Sequence, residues 1–400
     1  MLEIFKFARK YGIFEKVKEI SKFNPLDWAE RESIGENILL YGVPGSGKSY
    51  TIENEYCDEE TITERVLFHP DYTYSDFVGQ ILPKVSEDDQ MEYKFTPGPF
   101  TLILKEAYQN PDQKYILIIE EINRGNAPAI FGDIFQLLDR KTKLKGTGKD
   151  DGFPLGTSEY EITNSNIADI VYDNVNHPVR IPANLSIIAS MNTSDQNVFT
   201  LDTAFKRRWT MRMIENSFDD NEFNDLTILN TDLLWKDFCE VINKSIVENN
   251  ISNLSSEDKR IGAYFVDKKE FEFVENDKDA SEEEKIKAKL HNNKFAEKVL
   301  MYLWDDALKL SREEVFDEDN LGQFTLEFII NKFNNAKNEE ERFTIFTSDI
   351  QTEFKSKMEE YKRKKRLSVA AENQEETEPS NAEEVESEIE SDDNVGSNDE

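Results

Sequence analysis

The sequence predicts an α/β fold in three layers, with helices on both faces of a parallel sheet. Strand and helix patterns alternate between residues 36 and 215, which is typical of parallel strands joined by crossover helices. The apolar runs Tyr115–Ile119 and Leu185–Ala189 are nearly continuous, as in strands that are buried on both faces. Because such folds bind their ligands at the carboxyl ends of the strands, we expect the chemistry at that edge.

Five segments of this α/β region have the length and composition of strands. They are Asn37–Tyr41, Arg65–His69, Lys114–Glu120, Leu185–Met191 and Trp209–Ile214. Residues 141–180 contain glycines, polar residues and short β-prone pieces such as Ile170–Tyr172. That composition predicts an insertion formed by a hairpin or a long loop.

Three further regions flank the α/β region. Residues 1–35 have apolar positions near helical spacing and predict a helical segment too short for an independent domain. Residues 216–366 have a charged helical pattern and predict a smaller helical domain. Its candidate helices are Leu233–Val247, Lys294–Leu310, Thr325–Ala336 and Phe346–Arg366. Residues 367–400 predict a disordered acidic tail, because they cannot bury enough apolar surface to offset the lost chain entropy.

The net charge of −34 restricts the classes of partner. From Ala371 to Glu400 there are 13 acidic residues and no basic ones, and the rest of the chain is still acidic. Because nucleic acid is a polyanion, we do not expect the protein to wrap it broadly. DNA contact is expected at a local loop or through a partner. The basic cluster Lys362–Arg366 is interpreted as a solvated helix end.

Cysteine usage and hydropathy predict a reduced cytoplasmic protein without membrane contact. The two cysteines, Cys57 and Cys239, have no metal-binding spacing. No apolar run approaches the length of a membrane span. The three histidines are far apart in the sequence, so no zinc site is predicted.

The octapeptide after the first strand candidate is the most specific motif of the chain. It consists of Gly42, Val43, Pro44, Gly45, Ser46, Gly47, Lys48 and Ser49, which fits the phosphate-binding pattern G-x-x-x-x-G-K-[ST]. Glycines let backbone N–H groups approach phosphate oxygens, and the helix that begins near Lys48 adds the positive end of its dipole. Lys48 would reach the β- and γ-phosphates, and Ser49 would ligate Mg²⁺. The motif predicts a nucleoside-triphosphate site.

Two carboxylates and an amide are expected beside this loop. Glu120 and Glu121 end the third strand candidate. The first would support Mg²⁺ through water, and the second would orient and deprotonate the attacking water. Asn192 follows the fourth strand candidate, where it could sense the γ-phosphate or the water.

Arg207 and Arg208 come just before the last strand candidate. Guanidinium groups stabilise the charge that develops on a transferring phosphoryl group. At this position they would face the nucleotide of a neighbouring subunit, which requires a ring or another head-to-tail oligomer. The alternative for either residue is a structural role at the end of the sheet.

These motifs resemble those of the AAA+ superfamily and, within it, the McrB-type motor subunits of McrBC modified-DNA restriction systems. The further segments that carry the resemblance are Phe68–Gly79, Phe95–Phe100, Glu120–Asn126, Ile181–Asp195 and Ala204–Trp209. The resemblance covers residues 36–215. It implies a P-loop domain whose parallel sheet has the strand order 5-1-4-3-2, followed by a small helical lid.

The resemblance also implies roles for individual residues. It assigns nucleotide binding to Gly42–Tyr50 and Asp195. It assigns Mg²⁺ binding to Ser49 and Glu120. Those it assigns to hydrolysis are Glu121, Asn192 as the first sensor, and Arg207 and Arg208 acting across the subunit interface. Arg260 is a weak candidate for a second sensor.

Motors of this family are usually hexameric rings that depend on GTP and power an McrC-like nuclease subunit along DNA. AAA+ proteins in general use ATP, so the resemblance leaves open whether the nucleotide is GTP or ATP. The family's large amino-terminal domain, which reads modified cytosine, does not fit in 35 residues, and no nuclease constellation is found. We therefore expect recognition and cleavage of DNA to come from other polypeptides.

Two other functions stay open. An ATPase like those of the MoxR and dynein-related branches would remodel protein complexes, and the acidic composition favours this alternative. A nucleotide-gated scaffold with little turnover is the third possibility, although Glu121 and the paired arginines argue against it.

Overall fold

The computed structural model describes residues 34–85, 89–143, 152–193, 198–218, 223–249, 257–271 and 280–375. Residues 1–33 of the helical segment predicted at 1–35 lie outside the described residues. The predicted acidic tail lies outside them from position 376.

Parallel strands organise the first half of the described chain. The strands are β1 (Asn37–Gly42), β2 (Ile62–Leu67), β3 (Gly79–Val85), β4 (Met91–Pro97), β5 (Tyr115–Glu120), β6 (Leu185–Asn192) and β7 (Thr210–Met213). Five of those described form one parallel sheet in the order β2-β5-β6-β1-β7. Counted along the chain, these five strands have the order 5-1-4-3-2, which confirms the predicted order.

Both faces of this sheet are covered. In β5, Leu117 and Ile119 pack into the larger core, whereas Ile116 and Ile118 pack into a smaller core on the opposite face. Successive side chains of a strand point to opposite faces, so a strand covered on both sides is apolar at nearly every position. Each buried leucine or isoleucine side chain contributes about 1.5–3 kcal/mol relative to its exposure. This burial explains why apolar runs located the strands.

Helices occupy the connections and the second half of the described chain. In the α/β region they are α1 (Lys48–Thr51), α2 (Tyr74–Phe77), α3 (Pro99–Gln109), α4 (Ala127–Phe131), α5 (Ser165–Tyr172) and α6 (Thr203–Lys206). In the helical region they are α7 (Trp235–Asn249), α8 (Glu282–Tyr302), α9 (Leu326–Asn334), α10 (Glu339–Arg342) and α11 (Ser348–Glu375). A π-helical turn, Ile52–Tyr56, continues α1. None of the helices within the described ranges has both the length and the apolar character to cross a bilayer.

The helical region has an aromatic core of its own. Phe238 of α7 stacks on Trp235 with ring centroids 5.6 Å apart, and on Phe354 of α11 at 5.4 Å. Trp235 also meets Phe295 of α8 edge-on at 5.7 Å. Each of the four predicted helices of this region overlaps an observed helix. The apolar spacing in the sequence therefore correctly indicated helices that pack around a shared core.

The last helix is longer than predicted. α11 continues to Glu375 and crosses the tail boundary that was predicted at residue 367. Leu367, Ala370 and Ala371 in this stretch are strong helix formers. Helix propensity can extend a helix that is already packed elsewhere along its length.

The insertion predicted at 141–180 contains a helix where β structure was expected. Ile170–Tyr172 belongs to α5. Asn164 caps this helix by accepting a hydrogen bond of 3.1 Å from the backbone of Ile167, and Ile167, Ala168 and Val171 are buried on one helical face. The cap and this spacing outweigh the β propensity of the individual residues.

A hairpin that was not expected joins α2 to α3. Its strands β3 and β4 are antiparallel, and Ile81 pairs with Phe95, Pro83 with Tyr93 and Val85 with Met91. Because side chains alternate, these six apolar residues share one face of the hairpin. Four of them are largely exposed: Ile81, Val85, Met91 and Tyr93, at 57–72% of their surface. The hairpin therefore presents an apolar face to solvent.

Candidate nucleotide-binding site

The phosphate-binding loop connects β1 to α1. Gly45 has a φ of 74° and Gly47 a φ of 96°, which places both in the left-handed region that residues with a Cβ rarely adopt. The turn therefore requires glycine at these two positions. The register of β1 and β6 places Gly42 opposite Asn192. The loop accordingly begins beside the carboxyl end of β6.

Lys48, the first residue of α1, is buried against the loop, with 8% of its surface exposed. Its Nζ donates hydrogen bonds to the carbonyl oxygens of Gly42 at 3.1 Å and Val43 at 2.9 Å. The ammonium group is thus held at the loop. A cation in this place can neutralise the oxygens of a bound triphosphate.

Ser49 and Glu120 supply oxygen atoms for the candidate Mg²⁺ site. The Ser49 hydroxyl lies 3.5 Å from Oε1 of Glu120, and the Glu120 side chain is 17% exposed. A hydroxyl and a carboxylate are the hard oxygen ligands that Mg²⁺ prefers, so the residues fit the ion. In the described ranges no three His, Cys, Asp or Glu side chains come together as a metal site. The ion would take its other ligands from phosphate and water, and when bound it would neutralise phosphate charge.

Two residues that were not expected at the site hold the Glu120 carboxylate. Ser190 of β6 donates its hydroxyl to Oε2 at 2.6 Å. Arg65 of β2 donates Nη1 to Oε1 at 2.6 Å, and its Nη2 binds Oε1 of Glu53 at 2.9 Å. Both Ser190 and Arg65 lie inside strands, where residue type alone does not show which neighbouring strand a side chain reaches.

Glu121 lies one residue beyond β5 with a φ of 54°, a left-handed conformation that costs a non-glycine residue about 1–2 kcal/mol. Its Oε1 accepts a hydrogen bond of 2.6 Å from Nδ2 of Asn192, and its Oε2 lies 3.4 Å from Nε of Arg124. Asn123 donates to the backbone carbonyl of Asn192 at 2.9 Å. The strained backbone is thus accompanied by contacts that fix the Glu121 carboxylate at the end of β6. A carboxylate in this position can act as a general base.

The two arginines before β7 differ in their surroundings. Arg208 is bound to Asp139 through Nε at 3.1 Å and Nη2 at 2.9 Å, and it donates to the carbonyl of Ala204 at 2.7 Å. Its guanidinium lies over the ring of Phe135 at 4.1 Å, and its side chain is 10% exposed. Arg207 is exposed. The guanidinium of Arg208 is therefore held by contacts within its own chain, whereas the side chain of Arg207 is exposed to solvent.

A segment of the helical region lies against the phosphate-binding loop. The N–H groups of Gly262 and Tyr264 donate to the carbonyl oxygens of Pro44 at 3.0 Å and Gly45 at 2.8 Å. The ring of Tyr264 stacks on Tyr50 with centroids 5.5 Å apart. A Cβ on Gly262 would lie 2.3 Å from the carbonyl carbon of Gly45. The absence of a side chain at Gly262 therefore permits the close approach.

Arg260, the candidate second sensor, lies just ahead of this contact. Its Nε donates to the carbonyl of Glu257 at 2.9 Å, and its side chain lines a cavity of 570 Å³ together with α7 residues such as Asn243. The backbone of Ile261 is fixed by Asn243 through hydrogen bonds of 2.7 and 2.9 Å, and by Asn216 at 2.8 Å. The contact with the phosphate-binding loop is made by Gly262 and Tyr264 instead.

The segment Phe68–Gly79, which carried part of the family resemblance, is structural. Phe68 and Phe77 are fully buried and meet edge-on at 5.6 Å. Thr73 caps α2 in a reciprocal arrangement with Asp76, whose carboxylate accepts from the Thr73 backbone at 2.9 Å. Burial raises the pKa of Tyr72 to about 12, and its ring stacks on Phe68 with centroids 5.1 Å apart.

The structure thus brings Ser49, Glu120, Glu121 and Asn192 together at the carboxyl ends of β5 and β6. The loop residues Gly42–Lys48 surround the same edge of the sheet, and Tyr50 contacts the helical region. Asp195, which the resemblance assigned to the nucleotide, lies outside the described residues.

Comparisons with known proteins agree with these features. A family model described as AAA domain (dynein-related subfamily) matches residues 37–209. The chain is 32% identical over 352 residues to the type II restriction enzyme BsuMI component YdiS of Bacillus subtilis, covering 80% of this chain and 90% of that protein. It is 29% identical over 206 residues to the type IV methyl-directed restriction enzyme EcoKMcrB subunit of Escherichia coli, covering 50% of this chain and 39% of that protein.

One solved structure, that of a candidate ATPase from Cytophaga hutchinsonii, aligns with 91% of this chain and 98% of its own. The sequence identity is 14% and the TM-score is 0.28.

Proposed function

This chain belongs to the AAA+ NTPases of the McrB type, and on that premise we propose that it is the motor subunit of a restriction complex. It would hydrolyse GTP or ATP with Mg²⁺ and transmit the energy to an McrC-like nuclease subunit that acts on DNA. The chain itself would cleave the triphosphate and have no nuclease activity. The names of its two relatives, a component and a subunit of restriction enzymes, support a complex of several polypeptides.

The observation that carries the catalytic part is the meeting of Ser49, Glu120, Glu121 and Asn192 beside the phosphate-binding loop. Ser49 and Glu120 would hold the ion. Glu121 would take the proton from the attacking water, and Asn192 would contact the γ-phosphate or that water. Such a division of roles requires the carboxylate and the amide at adjacent strand ends, where β5 and β6 carry them.

A homo-oligomeric ring, which we expect to be a hexamer, would complete the site. Arg207 supports this part of the proposal, because its exposed side chain precedes β7 and no hydrogen bond or ion pair holds its guanidinium among the described residues. A neighbouring subunit could receive it at its own nucleotide, where a guanidinium stabilises the transition state. Arg208 would stabilise the segment that carries Arg207 through contacts within its own subunit.

The decisive experiment compares hydrolysis of GTP and ATP by the purified chain, with and without the product of the adjacent gene. We expect turnover to require Mg²⁺, to rise with protein concentration as rings form, and to increase when a nuclease partner is added. Light scattering with a non-hydrolysable analogue would report the ring. Full turnover by a dilute monomer would contradict the shared site, and hydrolysis of neither nucleotide would contradict the proposed function.

A remodelling ATPase is the second candidate, and the match to the dynein-related subfamily favours it. In that case the partner would be a protein-binding adaptor, and DNA would not alter turnover. Measuring turnover with the co-purifying partner, in the presence and absence of DNA, distinguishes the two functions.

A further inference from the structure

A series of four side chains connects the candidate metal site to the helix that follows the phosphate-binding loop. Ser49 contacts Glu120 at 3.5 Å, and Glu120 is bound by Arg65 at 2.6 Å. Arg65 in turn is bound to Glu53 at 2.9 Å. Ser49 and Glu53 are four residues apart in α1 and its π-helical continuation, which is about one helical turn. The series therefore closes on the helix from which it starts.

The sheet register explains why Arg65 can make both contacts. β2 pairs with β5 so that Arg65 lies opposite Ile118 and Leu67 lies opposite Glu120. Arg65 is thus two residues behind the carboxylate on the adjacent strand, and its long side chain spans the difference. A guanidinium is planar and donates in several fixed directions, whereas the ammonium of lysine is a single point charge. Arginine is suited to hold two carboxylates at once.

The bonds of Arg65 and Ser190 occupy both oxygens of Glu120. Oε2 accepts the Ser190 hydroxyl at 2.6 Å, and Oε1 accepts Arg65 at the same distance. A carboxylate held at both oxygens has little freedom to rotate. The Arg65 charge also neutralises part of the negative charge that would attract a divalent cation.

We propose that Arg65 is a positioning residue of the magnesium site. It fixes the orientation of Glu120 and ties that carboxylate to the helix that carries Ser49, and it lowers the affinity of the site for the cation. This inference rests on the proposed function of Ser49 and Glu120. Its signature is that loss of Arg65 moves metal affinity and turnover in opposite directions.

Arg65→Gln removes the charge and leaves a side chain that still donates hydrogen bonds. We expect the metal concentration at half-saturation to fall by about threefold to tenfold, a modest factor because the Arg65–Glu120 pair is partly exposed. Turnover at saturating metal should fall by about tenfold or more, because Glu120 is no longer fixed. A variant that merely loosened the fold would not bind metal more tightly.

Arg212→Gln is a matched control. Arg212 also projects from a strand of the same sheet, and it binds Glu55 of the same π-helical turn at 2.6 Å. Its side chain is 38% exposed, against 41% for Arg65. The Arg212→Gln variant removes the same charge without altering a contact of Glu120. It should change neither the metal concentration at half-saturation nor the turnover. Arg65→Lys should keep metal affinity near that of the wild type and still lose turnover.

The probe is Mn²⁺, titrated into the full chain with a saturating non-hydrolysable GTP or ATP analogue and followed by electron paramagnetic resonance. Turnover is measured separately with Mg²⁺. Tighter Mn²⁺ binding with slower turnover in Arg65→Gln, but not in Arg212→Gln, supports the inference. Equal behaviour of the two variants, or weaker Mn²⁺ binding in Arg65→Gln, overturns it. A wild-type chain that binds no Mn²⁺ with nucleotide and hydrolyses neither triphosphate overturns the proposed function itself.

Discussion

Asn192 and Glu121 are joined by a hydrogen bond of 2.6 Å from the amide Nδ2 to the carboxylate Oε1, across the ends of two neighbouring strands. The bond holds the Asn192 amide beside the carboxylate that we propose as the general base. An amide at this strand end lies where it could also donate to a bound γ-phosphate or to the attacking water. The pair thus offers a way to couple the presence of the triphosphate to hydrolysis.

Glu121→Gln should bind nucleotide normally and lose turnover. The glutamine keeps the shape of the side chain and an oxygen that can accept from Asn192, but it cannot take a proton. We expect turnover to fall by about 10²–10⁴-fold, measured as phosphate release, with an unchanged dissociation constant for a fluorescent nucleotide. Glu64→Gln, at an exposed position of β2, is the control. Near-normal hydrolysis in Glu121→Gln would remove the assignment of the base.

Asn192→Ala should be slow for a reason that depends on Glu121. We expect its turnover to fall by about 10- to 100-fold, because the carboxylate loses its hydrogen-bond partner and the phosphate loses its sensor. In the double variant with Glu121→Gln, the two losses should not multiply, since both residues act as one unit. The turnover rates of the wild type, the two single variants and the double variant form a double-mutant cycle. Fully multiplicative losses would show that the amide acts independently of the carboxylate.

Arg207→Ala and Arg208→Ala should fail in different ways. Arg208→Ala loses the paired bonds to Asp139 and the ring contact with Phe135, so its free energy of unfolding should fall by about 1–3 kcal/mol. Arg207→Ala should unfold like the wild type within about 0.5 kcal/mol and lose turnover by about 10³-fold. Denaturant unfolding and phosphate release separate the two effects.

Mixing experiments test whether Arg207 acts across an interface. Subunits carrying Arg207→Ala and subunits carrying Glu121→Gln should each be inactive and should regain partial turnover when mixed. A mixed ring contains interfaces at which an intact Glu121 meets an intact Arg207. If mixing restores nothing while both proteins form rings, Arg207 does not act in trans.

Gly262→Ala should separate the helical region from the phosphate-binding loop. The new Cβ would lie 2.3 Å from the carbonyl carbon of Gly45 and 2.4 Å from its oxygen, and backbone atoms cannot give way as a flexible side chain can. We expect about 1–3 kcal/mol of lost stability and weaker nucleotide binding by calorimetry. Gly322→Ala is the control, because no atom of the described residues lies within 4 Å of that added Cβ. Equal behaviour of the two variants would mean that the contact is not needed.

The parts of the site that sequence could predict are those whose chemistry restricts residue type. Gly45 and Gly47 have the positive φ angles that a phosphate-binding loop demands, and Glu120 and Glu121 end an unmistakable apolar strand. Ser190 and Arg65 could not be found in this way. Their roles depend on the registers of β6 and β2 against β5, which the periodicity of a single strand does not specify.

The errors of fold prediction also have physical causes. The hairpin β3–β4 contains Pro83 and an apolar face that is largely exposed among the described residues, and proline within a run argues against a strand. Ile170–Tyr172 has β-prone side chains but follows the cap Asn164, so local capping and burial decided for a helix. In both places a rule about single residues gave way to the surroundings of the segment.

The apolar face of the hairpin has a practical consequence for handling the protein. Its exposed side chains, Tyr93 among them, form the kind of patch through which chains adhere to one another. A net charge of −34 keeps the molecules apart at low ionic strength. Added salt screens that repulsion, and sulfate strengthens apolar association as well. Dilute buffer should therefore preserve dispersed protein, whereas ammonium sulfate should precipitate it early.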